Sequence, residues 1–420
     1  MGHPVDKFLL ISVDCLRYDA VSRVNRRLNT PKFDLLTRDY AFAERFFVTA
    51  PATRPSHTSM FTGLYPFEHG LCGQTYLKMF AGIPNLFQLF SDAGFEIHGR
   101  SERTDVFRFL DYERYIGPMD PNATDQHLGS LEDLLHSAFE GEDRPRFCFL
   151  HFWYTHGGYG ARGIPGTPNL KALVDAGKVD DALRFYYAAA THVQEYLLVE
   201  ILKRVNPDDW AVFILGDHGE GFCKEGLAHG DLLHENVIHV PLFVSLPGHD
   251  GLELPEGPLS TIDLFPTIIN LAGLTVDYKG YGRDLRDKGG SFRGRWVYSE
   301  LDNLYGVGFL NPGNLQADRN RVTSRVAMDG AELKRDEDGL RMWSVTDGRV
   351  FYREKLDGED FVLRDVFSGA DLQCNDPGPF RESRNNILNG SNYKHLQAQE
   401  ATQAEADILA ARLRNLGYIE

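Results

Sequence analysis

The stretch that decides the fold is Ala211–Glu220, AVFILGDHGE, in which an apolar run ends directly in Asp217 and His218. A second apolar run, Phe8–Val13, FLLISV, likewise ends in a carboxylate, Asp14. Short continuous apolar runs are typical of strands that are buried on both faces of a parallel sheet. Because parallel strands end at a common edge, where open α/β sheets bind ligands, we expect these side chains to form one site.

Two carboxylates at one sheet edge repel each other unless a cation lies between them, which favours a metal site. Asp14, Asp217 and His218 offer a mixed oxygen and nitrogen set, which favours Mn²⁺ or Zn²⁺ and leaves Ca²⁺ or Mg²⁺ as alternatives. Neighbouring side chains on a strand point to opposite faces, so both reach one ion only where the strand breaks. Gly216 and Gly219 permit such a break. The alternative interpretation is that Asp14 caps a helix and His218 lies in an ordinary loop.

Thr53 is the candidate nucleophile. It opens the segment Thr53–Gly63, TRPSHTSMFTG, in which a helix is predicted to begin near Ser56 or Thr58. A threonine hydroxyl is a weak nucleophile unless a metal or a base removes its proton, so we also predict that Thr53 lies on the metal. The helix N-terminus would aim backbone N–H groups at an anion. The alternative is that Thr53 is an ordinary loop residue.

Strand-like runs alternate with helical patterns along most of the chain. This alternation predicts an α/β fold, a large mainly parallel sheet sandwiched by helices. The predicted elements are strands at 8–14, 147–153, 211–216 and 240–246, a mixed extended segment at 42–49, and helices at 84–93, 180–205 and 261–271.

The pattern changes after about residue 325. Met342–Tyr352 predicts two short strands around an Asp-Gly turn, and Glu359–Phe367 predicts a third. A loop is predicted over residues 375–391, and a terminal helix over residues 396–416. The sequence therefore predicts a catalytic domain, residues 1–325, and a small C-terminal antiparallel sheet plus helix, residues 326–420.

Charge and cysteine usage exclude several function classes. The formal net charge of -16 argues against a nucleic-acid partner, because phosphate backbones require clustered Lys and Arg. The five cysteines form no CxxC pair, which argues against a disulfide framework or a zinc finger. We see no secretory leader and no membrane span, which predicts a cytoplasmic protein; its oligomeric state is left open.

These motifs resemble the sulfatase branch of the alkaline phosphatase superfamily. The resemblance implies that superfamily's fold, a divalent metal and a small anionic ester substrate. It rests on ISVDCLRYD at 11–19, TRPSH at 53–57, TGLYP at 62–66, LGDHGE at 215–220, VPL at 240–242, DLFPT at 263–267 and LRNLGY at 413–418.

The departures from the family pattern bear on the substrate. True sulfatases carry Cys or Ser, oxidised to formylglycine, in a Cys-x-Pro-x-Arg motif, whereas Thr53 and His57 take the first and last places here. Threonine is a secondary alcohol, so its oxidation would give a ketone and not an aldehyde. In the superfamily, threonine is the nucleophile of members that act on phosphodiesters or transfer phosphoryl-linked groups. Cys15 stands where a second acidic residue is frequent, and a thiol there would favour a softer metal or no ligation at all. Tyr154 stands where relatives often have Asp, which argues against their complete second metal site.

The sequence thus predicts a metal-dependent hydrolase of phosphoric or sulfuric esters, with phosphodiesters or phosphonate monoesters favoured. Thr53 would attack and form a covalent intermediate, and His229 would protonate the leaving group. His156, His151 and Arg54 are predicted to bind substrate, and His57 to orient Thr53 or contact the anion. The alternatives are a true sulfatase, a phosphoryl-alcohol transferase and a catalytically inactive binding protein.

Overall fold

The apolar runs form a seven-stranded sheet in the computed structural model. The structure describes residues 4–73, 78–119, 138–139, 144–156, 173–174, 176–222, 229–230, 232–249, 251–302, 324–326, 332–334, 341–355, 358 and 360–393. The strands are β1 Lys7–Val13, β2 Ala41–Phe42, β3 Phe46–Phe47, β4 Glu96–Ser101, β5 Ile116–Pro118, β6 Arg146–Phe152, β7 Trp210–Gly216, β8 Leu242–Ser245, β9 Leu259–Ser260, β10 Val297–Asp302, β11 Ser324–Val326, β12 Glu332–Lys334, β13 Arg341–Thr346, β14 Val350–Lys355 and β15 Phe361–Asp365.

The helices pack against this sheet and against a second, smaller sheet. They are α1 Pro31–Leu36, α2 Thr53–Thr62, α3 Pro66–His69, α4 Leu86–Asp92, α5 Val179–His192, α6 Glu235–Ile238, α7 Leu264–Leu271 and α8 Gly378–Gly390. The chain continues beyond α5 as a π-helical segment, Val193–Leu198, and a helical turn, Val199–Leu202. Single 3₁₀ turns lie at Tyr18–Ala20, Thr104–Phe107, Glu113–Tyr115 and Thr261–Asp263.

The strand order of the large sheet is β2-β8-β7-β1-β6-β4-β5. Strands β7, β1, β6, β4 and β5 are parallel, and β8 is antiparallel to both of its neighbours. Strand β1 is buried on both faces: Phe8 and Leu10 pack into one apolar cluster, and Leu9, Ile11 and Val13 pack into the other. The predicted fold, a mainly parallel sheet between two helical layers, is confirmed.

A second, antiparallel sheet has the strand order β10-β13-β14-β15. Strands β13, β14 and β15 are the three predicted from the Asp-Gly turn and the following run. Its first strand, β10, comes from residues 297–302, ahead of the predicted boundary at residue 325. The division into 1–325 and 326–420 stays a prediction, and the predicted terminal helix at 396–416 lies outside the described residues.

The prediction of a loop at 375–391 is wrong, because this stretch contains helix α8. Proline is tolerated in the first turn of a helix, where its missing N–H costs no hydrogen bond, so Pro379 does not prevent helix formation. Tertiary packing then outweighs the weak helix propensity of Gly and Asn, since Phe380, Ile387 and Leu388 pack against Trp343 of the small sheet and its neighbours.

Within the described part of the chain, no helix is long and apolar enough to cross a membrane.

Candidate active site

The register of three parallel strands brings the predicted residues together. Val13 at the end of β1 pairs with Gly216 at the end of β7 and with Phe152 at the end of β6. Asp14 and Asp217 therefore leave the sheet side by side at its carboxyl edge. Both carboxylates are fully buried.

The chain turns sharply immediately after Asp14. Cys15 has φ +59°, a left-handed conformation that is uncommon for a residue other than glycine. In this conformation the Cys15 N–H donates to Asp217 Oδ1 at 3.2 Å. The Cys15 carbonyl accepts a hydrogen bond from the Tyr186 hydroxyl at 2.7 Å, which fixes the turn against α5.

The two glycines that flank Asp217 and His218 are required by close packing and not by unusual backbone angles. A Cβ on Gly216 would lie 2.3 Å from the Leu16 carbonyl oxygen, and one on Gly219 would lie 2.0 Å from the Asn236 carbonyl oxygen. Both contacts are far inside van der Waals distance, so these two positions admit only glycine without a backbone shift.

Helix α2 begins at Thr53 itself, earlier than predicted, and ends at Thr62, with Gly63 at φ +72° as its C-cap. The candidate nucleophile therefore occupies the first turn of the helix, at the positive end of its dipole. Thr53 Oγ1 lies 3.1 Å from Asp14 Oδ2 and 3.2 Å from His218 Nε2. The four predicted metal ligands thus converge on one point.

The donor atoms fit a divalent cation. Asp14, Asp217 and His218 each offer one ligand atom, and these atoms lie within 4.8 Å of one another. Asp14 Oδ1 and Asp217 Oδ2 are buried and have no hydrogen-bond partner among the described residues. Buried carboxylate oxygens are normally hydrogen-bonded or bound to a metal, because leaving them unpaired costs about 1–3 kcal/mol or more. The site therefore has the donor atoms of a cation site, and two of its carboxylate oxygens lack the partner that a cation would provide.

The pKa values of the two carboxyls diverge. Burial raises the pKa of both groups, but nearby His151, His156 and His218 hold the pKa of Asp14 well below its usual range. The pKa of Asp217 is raised well above its usual range by burial and by the charge of Asp14. Without a cation the pair therefore tends to keep a proton, as expected of two carboxylates that share one site.

His218 is neutral at physiological pH, because burial lowers its pKa to about 4. Its Nδ1 lies 2.8 Å from the Gly219 carbonyl oxygen and donates to it, which leaves the Nε2 lone pair for the ion. This backbone hydrogen bond also fixes the plane of the ring.

Two further histidines lie behind the carboxylates. His57 is fully buried, with Nδ1 2.8 Å from the Thr53 carbonyl oxygen and Nε2 2.9 Å from Ser12 Oγ. Burial lowers its pKa well below the usual range, so the ring is neutral. His151 donates or accepts at Ser101 Oγ through Nδ1, at 2.8 Å, and its Nε2 lies 3.3 Å from Asp14 Oδ2.

His229 and His156 lie on the other side of the site. His229 Nδ1 is 3.0 Å from Glu220 Oε2 and 3.4 Å from Cys15 Sγ. The rings of His229 and His156 are 4.7 Å apart, and His156 stacks on Trp153 at 3.8 Å. Burial would raise the pKa of Glu220, but the adjacent His229 outweighs burial and lowers it, as expected of an ion pair.

Arg54 is buried with its guanidinium turned to the protein backbone. Its Nη1 donates to the carbonyls of Val106 and Arg108, both at 2.8 Å. A role for Arg54 in substrate binding stays a prediction.

A sulfatase family model matches residues 6–274, more than half of the chain. The chain belongs to the sulfatase family. This protein is 21% identical over 395 residues to a Delta 4,5-hexuronate-2-O-sulfatase of Bacteroides thetaiotaomicron, covering 78% of this chain and 81% of the relative. Its structure is similar to that of a 2-O GAG sulfatase, with a TM-score of 0.65, 17% identity and 96% of each chain covered. It is also similar to a phosphonate monoester hydrolase of Agrobacterium radiobacter, with a TM-score of 0.64, 16% identity, and 92% and 94% of the two chains covered.

This sulfatase-family hydrolase contains functional contacts that sequence reasoning missed. Ser12 on β1 holds His57, and Glu220 pairs with His229. The Glu220 carboxylate was visible at the end of the Asp-His-Gly-Glu motif. No pattern in the sequence links Ser12 to the site, because a serine inside a buried strand is common.

Proposed function

We propose that this sulfatase-family protein is a metal-dependent hydrolase that uses Thr53 to cleave phosphodiesters or phosphonate monoesters. One observation carries the proposal: Thr53 Oγ1, in the first turn of α2, lies 3.1 Å from Asp14 Oδ2 and 3.2 Å from His218 Nε2. The candidate nucleophile is thus within reach both of a proton acceptor and of the predicted cation ligands.

A divalent cation held by Asp14, Asp217, His218 and Thr53, Mn²⁺ or Zn²⁺ from the donor set, would neutralise charge and polarise the ester as a Lewis acid. The chain's own residues do the rest. Thr53 Oγ1 holds its proton against Asp14 Oδ2, so this proton leaves toward the carboxylate as the oxygen attacks phosphorus. The Thr53 Oγ1–P bond forms and the bond from phosphorus to the leaving oxygen breaks. Water then attacks phosphorus and the Thr53 Oγ1–P bond breaks. Thr53 recovers its proton from Asp14, and the proton released by the water restores His229.

His229 is the proposed proton donor to the leaving oxygen. Glu220 Oε2, 3.0 Å from Nδ1, stabilises the protonated ring, and Nε2 is the nitrogen proposed to donate to the leaving oxygen. The side chain of His229 is 20% exposed and that of Glu220 is 5% exposed, so the proton donor is the more accessible member of the pair. His156, beside His229, is the proposed contact for a non-bridging oxygen.

His57 and His151 are proposed to position the reacting groups from behind. His57 bonds to the carbonyl of Thr53, and His151 Nε2 lies against the Asp14 carboxylate. Because both rings are fully buried, we assign them to the orientation of Thr53 and Asp14, and the substrate contacts to His156.

A sulfate ester substrate is the second candidate, favoured by the sulfatase activities named for the relatives. Threonine argues against it, because its secondary alcohol cannot be oxidised to the aldehyde that formylglycine chemistry requires. A phosphoryl-alcohol transferase and an inactive binding protein share the same fold and are separated from the hydrolase by assay.

The test is turnover of four nitrophenyl esters by the Mn²⁺- or Zn²⁺-loaded protein: a phosphodiester, a phosphonate monoester, a phosphomonoester and a sulfate ester. Thr53→Ala is the test variant, and Thr62→Ala, on the same helix but at its far end, is the matched control. We expect phosphodiester or phosphonate turnover that Thr53→Ala loses and Thr62→Ala keeps. A phosphoryl group on Thr53, detected by mass spectrometry of quenched enzyme, would identify the intermediate.

An active Thr53→Ala enzyme would remove the nucleophile assignment. Turnover of the sulfate ester alone would refute the argument from threonine. Absence of turnover together with absence of bound metal would favour the binding-protein alternative.

A further inference from the structure

Beside the predicted cation site lies a second group of donors of different chemistry. Cys15 Sγ, His229 Nδ1 and Glu220 Oε2 form a triangle, with separations of 3.4 Å between sulfur and nitrogen, 3.7 Å between sulfur and oxygen, and 3.0 Å between nitrogen and oxygen. Cys15 and Glu220 are buried, and the side chain of His229 is partly exposed.

We propose that Cys15, Glu220 and His229 bind a second metal ion, a thiophilic one such as Zn²⁺. Zinc binds sulfur at about 2.3 Å and nitrogen or oxygen at about 2.0–2.2 Å, so tetrahedral coordination places donor atoms about 3.3–3.7 Å apart. The three observed separations fall within about 0.3 Å of that range. One ion can therefore contact all three donors after small side-chain adjustments.

His218 belongs to the first site and lies beside this one. Its Nδ1 lies 3.8 Å from Cys15 Sγ but is engaged by the Gly219 carbonyl at 2.8 Å. The same ring therefore offers only Nε2 as a ligand, and Nε2 faces Asp14 and Asp217. The two sites share a wall but no donor atom.

The donor set selects the metal. Thiolate is a soft ligand that favours Zn²⁺ over Mn²⁺, Mg²⁺ or Ca²⁺, whereas the first site offers oxygen and one imidazole. Three protein ligands are typical of catalytic zinc sites, whereas structural zinc sites have four. When the ion binds, the Cys15 S–H bond is replaced by a sulfur–metal bond and the proton passes to solvent.

Binding would also change the role of His229. A metal ion on Nδ1 and a proton on Nδ1 exclude each other, so a His229 that binds zinc keeps only its Nε2 proton. The proton-donor role proposed above belongs to the form without this ion. The existence of the site does not depend on that role, since it rests on donor positions alone.

The test measures bound metal and its ligands, independently of turnover. Chelator-treated full-length protein is reloaded with Zn²⁺, and the ions per chain are counted by plasma mass spectrometry. It is also reloaded with Co²⁺, whose thiolate complexes give a charge-transfer absorption that oxygen and nitrogen ligands do not. Cys15→Ser is the test variant, and Cys148→Ser, an equally buried cysteine inside β6, is the matched control. Asp217→Asn removes a ligand of the first site only.

We expect two zinc ions per chain and a charge-transfer band for the wild type and for Cys148→Ser. We expect one zinc ion with the band retained for Asp217→Asn, and one zinc ion with the band lost for Cys15→Ser. Glu220→Gln, which keeps the side-chain volume, should weaken the band. It is the test variant to use if Cys15→Ser fails to fold. A wild type without the band, or a Cys15→Ser protein that still holds two zinc ions, would overturn the proposal. These outcomes are the same whether or not Thr53 proves to be a nucleophile.

Discussion

Asp217→Asn is the sharpest single test of the cation site. The substitution keeps the shape of the side chain and the oxygen that accepts the N–H groups of Cys15 and His218, at 3.2 Å and 2.9 Å. It replaces the unpartnered Oδ2, which lies 3.6 Å from both His57 Nδ1 and His218 Nε2. We therefore expect the variant to fold but to lose a cation ligand.

The substitution should have different effects on stability in the metal-free protein and in the metal-bound protein. Burial and the charge of Asp14 raise the pKa of Asp217 in the folded protein. The contribution of Asp217 to the free energy of unfolding is therefore lost as the pH rises from the unfolded pKa, near 3.8, through the folded pKa. At neutral pH the burial of Asp217 beside Asp14 therefore costs the metal-free wild type free energy, because the carboxyl must either keep a proton or add a second buried charge. Replacing that carboxylate with a neutral amide should leave the metal-free protein as stable as the wild type or more stable.

The metal-dependent gain can be estimated. An ion at a hundred to a thousand times its Kd stabilises the folded state by about 2.7–4.1 kcal/mol. With an unfolding entropy of about 2.1 cal/mol/K per residue, a chain of 420 residues loses roughly 0.9 kcal/mol of stability per degree near its Tm. The wild type should therefore gain about 3–5 °C in Tm on adding Mn²⁺, and Asp217→Asn should gain less than about 1 °C.

Thermal unfolding followed by circular dichroism, in chelator and in excess Mn²⁺, measures both effects. Mn²⁺ is preferred to Zn²⁺ here because the proposed thiolate site binds Mn²⁺ poorly. Asp39→Asn, a carboxylate whose side chain is 83% exposed, is the control and should keep the full increment. An Asp217→Asn protein that kept the wild-type increment would refute the assignment of Asp217 as a ligand.

Three further predictions concern the nucleophile and the buried ionisable groups. Thr53→Ser should retain measurable ester turnover, whereas Thr53→Ala should lose about 10³-fold or more, as judged from kcat/KM. Asp263→Asn should lower the free energy of unfolding by about 3–5 kcal/mol with or without metal, because it breaks the buried 2.7 Å ion pair with Arg295. His69, whose pKa burial lowers to about 3, binds its proton only in the unfolded chain between about pH 6.5 and pH 3. Its contribution to stability should therefore fall by about 2 kcal/mol from pH 6.5 to pH 4.5, and urea titrations of His69→Gln should lack that part of the acid loss.

The sequence contained enough to place the cation site. Asp14 and Asp217 each follow a short run of mainly apolar residues that is typical of a buried strand, and parallel strands end at one edge. Thr53 was harder to place, because its helix begins at the nucleophile and not at Ser56 or Thr58. The helix starts earlier since Pro55, in the first turn, has no N–H that the helix would need to satisfy.

The reason for the glycines beside Asp217 could not be read from the chain. Sequence reasoning treated Gly216 and Gly219 as permission for a backbone break, whereas neither residue has a positive φ. Each instead lets a distant carbonyl, from Leu16 or from Asn236, approach to within a distance that excludes any Cβ. The residue type alone does not show whether glycine is required for its backbone freedom or for close packing. Only the folded structure distinguishes these two reasons.

The triangle of Cys15, Glu220 and His229 could not be predicted from the sequence either, because it depends on how the folded chain brings the three side chains together. Cys15 was visible as a departure at a position where relatives often carry an acid, and a thiol there favoured a softer metal or no ligation at all. The argument against a complete second metal site came from Tyr154, which stands where relatives often have Asp, and neither observation identified Glu220 and His229 as partners of the thiol. In the fold, the left-handed turn at Cys15 directs its sulfur toward Glu220 and His229, so the thiol replaces the carboxylate as a donor and changes which metal is preferred. A residue that differs from the family's usual metal ligand can therefore still bind a metal together with other partners. The number of zinc ions bound by Cys15→Ser tests whether Cys15 does so.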